Sequence, residues 1–112
     1  MSTGGESARD SREFGKLLLE AVDRALLVLG EAARQAIYDC LENSYQITRE
    51  EIPEKLDAFH GALTDLLGKG GSMVELVAAE NLYKALSLNF EPNEGWALVD
   101  YVNHAKRTAS LG

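Results

Sequence analysis

Apolar residues recur at helical spacing along most of the chain, and no stretch shows the two-residue alternation of a half-buried strand. Phe14, Leu18, Ala21, Val22, Ala25, Val28 and Leu29 fall on one helical face, flanked by Leu17 and Leu26, with Lys16, Glu20 and Asp23 opposite. This predicts a helix over 14–29 with an apolar arc roughly twice the ~100° of an ordinary surface helix, so that it touches neighbours on two sides. The apolar phase changes after Gly30, which therefore reads as a break. A second helix over 31–43 carries a narrower stripe of Ala33, Ala36, Ile37, Cys40 and Leu41, and Asn43-Ser44 ends it. Tyr45 and Ile47 then pin a short connector to the core.

Thr48 and Glu51 have the spacing of a capping box. Pro53 cannot lie deep in a helix begun at Thr48, so a single turn followed by a helix over 53–67 is expected, with Pro53 in its first position. Leu56, Phe59, Ala62, Leu63, Leu66 and Leu67 form its stripe. Gly68-Lys69-Gly70-Gly71 reads as a helix–helix turn, and Ser72 with Glu75 as a second capping box opening a helix over 73–88. That helix is apolar around more than half its circumference. A turn-rich link anchored by Phe90 leads to a last helix over 94–109, with Leu98, Tyr101, Val102 and Ala105 inward. Residues 1–12 have too little apolar content to repay ordering and read as a flexible tail. The expectation is a single all-α domain over 13–112, a compact bundle of about five helices with short connections and no sheet.

Composition narrows the choice of function. A chain of 112 residues holds one core without staples, and 46% hydrophobic with 26% charged residues is ordinary for a soluble globular protein. No apolar run approaches the ~20 residues that span a bilayer, and the polar start is not a secretory leader, so a cytoplasmic protein is expected. A formal charge of −7 with scattered cations argues against a nucleic-acid partner. A helix-turn-helix reading of Thr48 to Gly68 with the preceding helix is opposed by Glu54, Asp57 and Asp65 on the would-be recognition helix.

Candidate chemistry is sparse. GKGGS at 68–72 is not a phosphate loop, because Leu63 stands where the first glycine is needed and a helix precedes it. His60 borders an apolar stripe, but Leu63 and Thr64 occupy the places where a phosphotransfer histidine would want Lys-Gly. Asp100 and His104 stand i, i+4 on the outer face of the last helix with Trp96 a turn before, able to orient a ligand but lacking a third metal ligand nearby. Cys40, between Asp39 and Glu42, reads as a small buried hydrophobe rather than a nucleophile. Glu50, Glu51 and Glu54 read as a charged helix start. Tyr38 lies on the polar side of its helix, which implies a contact beyond the stripe.

The segments GEAARQAIYDCLE, ITREEIPEKLDAFHGALTDLLGKG and WALVDYVNHAKR resemble a family of small archaeal helical proteins. The resemblance implies an all-helical prokaryotic cytosolic protein and supplies no catalytic residues to carry over.

The first and fourth helices carry more apolar surface than one layer of contacts needs. They form either the central pair of a monomer or part of an isologous homodimer, and the dimer is the favoured expectation. A non-enzymatic interaction or regulatory module is therefore expected, with Leu19, Leu27, Val77, Trp96, Asp100 and His104 as interaction residues. No catalytic, cofactor-binding or metal-ligating residue and no cofactor is nominated. The alternative is a ligand-binding or enzymatic bundle using polar groups near His60, Asp100 and His104.

Overall fold

In the computed structural model, which describes the backbone of residues 3–108 and the side chains from Arg12 onward, the helical periodicity becomes five α-helices and one 3-10 helix. These are α1 (Thr3–Leu27), α2 (Glu31–Tyr45), the 3-10 helix (Arg49–Glu54), α3 (Leu56–Leu67), α4 (Lys69–Ala85) and α5 (Leu98–Thr108). There is no strand among the described residues, and no helix there is long and apolar enough to cross a membrane.

The apolar surplus of α1 and α4 is spent largely on each other, for these two helices share the most extensive interface of the fold. Val22, Ala25 and Leu26 of α1 and Ala78, Ala79 and Leu82 of α4 are all buried, and α2, α3 and α5 pack around this central pair. Small residues let the two backbones approach closely, which is the physical use of alanine in such a stripe.

Several boundaries differ from the sequence expectation. The first helix ends at Leu27 rather than residue 29, so Val28 and Leu29, expected inside, are exposed. Helical backbone begins at Thr3, while residues 1 and 2 and the side chains up to residue 11, in the expected tail, lie outside the described residues. Asn43-Ser44 does not stop α2. Gln46 does, in the left-handed conformation (φ 58°), with the Ile47 N–H donating to the Leu41 carbonyl at 3.0 Å. Of the α2 stripe only Ile37 and Leu41 are buried, and Ala36 faces solvent.

Pro53 does not open a helix. It sits inside the 3-10 helix against Gly15 of α1, and α3 begins only at Leu56, after Lys55 breaks the run. The last helix begins at Leu98 rather than residue 94, because Gly95 (φ 83°) turns the chain ahead of it; the expected end at 109 lies outside the described residues. In the GKGG stretch only Gly68 (φ 58°) acts as the turn. Lys69, Gly70 and Gly71 are already helical. A Cβ on Gly71 would lie 2.8 Å from the Leu63 carbonyl oxygen, so this glycine serves the close crossing of α3 and α4 rather than a loop.

Candidate functional site

The polar residues that sequence periodicity turned outward on α1 and α2 meet at Asp23. Its carboxylate is four-fifths buried and accepts hydrogen bonds from the Tyr38 hydroxyl and from Arg49, Nε at 3.1 Å and Nη2 at 2.5 Å. Arg34 approaches to 4.0 Å and also pairs with Glu31 at 2.6 Å. Asp23 was expected on the solvent side; the contact implied by Tyr38 is what draws it in. Burial alone would raise the Asp23 carboxyl, but the hydrogen bonds from Arg49 and Tyr38 and the charges of Arg49 and Arg34 outweigh it and hold the pKa below the ordinary value. Burial, and then the hydrogen bond to Asp23, push the Tyr38 phenol far above its usual range. A phenol held this way neither ionises nor attacks; the group clasps α1, α2 and the 3-10 helix.

This clasp predicts an acid dependence of stability. The folded-state pKa of Asp23 lies below the unfolded one, so its contribution is complete above the unfolded value and is lost as pH falls through the folded value. Urea midpoints should therefore decline as pH falls through and below the ordinary carboxylate range, and Asp23→Asn should start lower at neutral pH and flatten that decline. An unchanged acid profile in the variant would show that Asp23 does not carry it.

Glu75 is the one buried charged side chain among the described residues, 3% exposed. The expected capping box with Ser72 is not its role. Oε1 accepts the Leu98 N–H at 2.8 Å, and Oε2 lies 2.6 Å from His60 Nδ1. One carboxylate of α4 thus caps α5, where negative charge suits the helix dipole, and is closed over by the half-exposed His60 of α3.

A second polar group sits at the start of α5. The Tyr83 hydroxyl donates to the Tyr101 carbonyl at 2.8 Å, and the Tyr101 hydroxyl accepts the Asn93 N–H at 2.8 Å. Trp96 meets Tyr101 edge-on at 5.0 Å, and His104 stacks on Tyr83 at 6.3 Å and lies 5.8 Å from Trp96. These rings border an open cleft of about 790 Å³ shared with Asn89, Glu91 and Arg107. Asp100 does not line it; its Oδ2 accepts the Ala97 N–H at 2.8 Å. His60, Asp100 and His104 are thus given three separate duties and do not converge.

The nominated apolar residues also separate. Val77 is half-buried against the core. Leu27, 41% exposed, opens a run of three consecutive exposed apolar residues with Val28 at 72% and Leu29 at 46%. Leu19 lines a different cleft, of about 800 Å³, where α1, the 3-10 helix and α5 meet. Pro53 faces Leu19 across it, with the buried Phe14, Leu18 and Val102 beneath. Arg12 and Lys16 from α1 stand on its rim with Lys106 and Arg107 from α5. Nothing in the sequence reading pointed to this rim, because its two halves are some ninety positions apart in the chain.

No family model, curated protein or solved structure matches the chain, and the resemblance to small archaeal helical proteins gains no support from these comparisons.

Proposed function

We propose that the chain is a small, non-enzymatic cytoplasmic interaction module that self-associates through the apolar turn closing α1. The observation that carries this reading is the exposure of Leu27, Val28 and Leu29 side by side. Single exposed apolar residues are ordinary on a monomer, whereas adjacent ones lose water when a second surface covers them. The turn is ordered: the N–H groups of Val28, Leu29 and Gly30 donate to the carbonyls of Ala25, Leu26 and Leu27 at 3.3, 2.9 and 2.9 Å. A pre-ordered patch gives up less conformational entropy on docking. A two-fold dimer pairs this patch with itself.

Light scattering behind size exclusion should give twice the chain mass for the wild type. The double variant Val28→Glu/Leu29→Glu should give the chain mass with an unchanged helical spectrum. A wild type that stays monomeric at high concentration ends the reading.

The cleft beside Trp96 and His104 favours a ligand-binding alternative, since Trp96, 37% exposed, offers a ring to a bound group. A DNA-binding role draws little support from α3, whose exposed positions, Asp57, Ala58, Gly61, Thr64, Asp65 and Leu66, include no cation for phosphate.

A further inference from the structure

We propose that the cleft between α1, the 3-10 helix and α5 binds a single-chain anionic amphiphile of the fatty-acid class, its chain along the half-buried Leu19 and Pro53 and its carboxylate at the cationic rim. Charge is the first argument. The rim gathers four of the chain's 11 Lys and Arg residues, Arg12, Lys16, Lys106 and Arg107, against two of its 18 Asp and Glu residues, Glu50 and Glu54. On a protein of net charge −7 this is a local reversal of sign, and none of the four cations forms an ion pair among the described residues. Lys106 Nζ instead lies 5.4 Å from the centroid of the buried Phe14 ring, a cation placed at the edge of the apolar core. An acid head group meeting Lys16 or Lys106 leaves its chain beside Leu19 and Pro53, which line the same cleft.

Gly15 is the second argument. Glycine within a helix weakens it relative to alanine and is usually retained where a side chain would collide. Here a Cβ would lie 3.9 Å from the Pro53 side chain, which is ordinary contact. Packing does not require this glycine, yet its absent side chain keeps the cleft open between α1 and Pro53. Size is the third. A volume of about 800 Å³ falls within the roughly 300–1,000 Å³ of small-molecule sites.

Calorimetric titration of the full chain with sodium laurate below its micelle-forming concentration tests the assignment, with resonance perturbations in an amide correlation spectrum reporting the place. Laurate should bind, perturbing residues around Phe14, Lys16 and Lys106, and affinity should rise about two- to fourfold per methylene from octanoate to laurate. Lys16→Glu/Lys106→Glu should weaken laurate at least tenfold, and Gly15→Leu, which fills the cleft without reversing charge, should weaken the longer chains most. Val28→Glu/Leu29→Glu should bind laurate like the wild type, which separates this result from self-association. Equal binding of dodecyltrimethylammonium, unchanged affinity in both cleft variants, or binding to anionic phosphatidylglycerol vesicles or to an acidic amphipathic peptide but not to free laurate would each overturn the proposal.

Discussion

Glu75→Ala should lower the unfolding free energy by about 3 kcal/mol, the cost of leaving the buried Leu98 N–H without its acceptor and releasing the half-exposed His60. The Leu98 N–H, in a buried hydrogen bond at 2.8 Å, loses its only described partner, and water cannot readily replace it there. His60 loses the 2.6 Å contact that holds its ring against α4. Three helices, α3, α4 and α5, meet through this one carboxylate, so loosening should be cooperative rather than local. Glu75→Gln keeps an acceptor and should cost about 1 kcal/mol, the ordinary net worth of one hydrogen bond. Urea unfolding followed by circular dichroism measures both. A Glu75→Ala protein as stable as Glu75→Gln would show that the carboxylate is not the tie described above.

Gly71→Val should cost a further kind of stability, also about 3 kcal/mol, by forcing two backbones apart. The atoms facing the missing side chain are the Leu63 carbonyl oxygen at 2.8 Å and its carbon at 3.0 Å. Neither can rotate away as a flexible side chain would, so α3 and α4 must separate and open the contacts of Leu63, which is fully buried. The neighbouring glycine supplies the control. A Cβ on Gly70 meets only the Leu67 Cβ at 3.6 Å, so Gly70→Ala should be neutral or stabilise by up to about 1 kcal/mol through helix propensity. Thermal melts should show a clear drop for Gly71→Val and none for Gly70→Ala. Equal losses would mean that both glycines act through the turn, not through the crossing.

The apolar positions were the most legible part of the fold. Leu98, Tyr101, Val102 and Ala105 are all buried as the periodicity required, as are Leu56, Phe59, Ala62 and Leu63. The errors fall at element ends, where local signals compete. Asn43-Ser44 looked like a stop, but continuing α2 to Tyr45 brings its hydroxyl within 3.3 Å of Asp65. Ser72 and Glu75 had the spacing of a local cap, yet a longer-range partner claimed the glutamate. The polar sites were the least legible. Asp23, Arg34, Tyr38 and Arg49 come from three separate elements; Asp23, Arg34 and Arg49 taken singly have the appearance of a solvated face, and Tyr38 signals a contact without naming its partner. The rim of the α1–α5 cleft is invisible in the sequence for the same reason.

By itself the sequence determined that this protein is helical, which face of α5 and most of that of α3 turn inward, and that no apolar run in it spans a bilayer, because those properties follow from spacings of three and four residues and from composition. Only the tertiary structure decided that α1 and α4 spend their surplus on each other, that Glu75 is a tie rather than a cap, and that four scattered cations share a cleft. Periodicity records which side of a helix avoids water. It does not record which other helix arrives there, since that is set by packing among residues far apart in the chain.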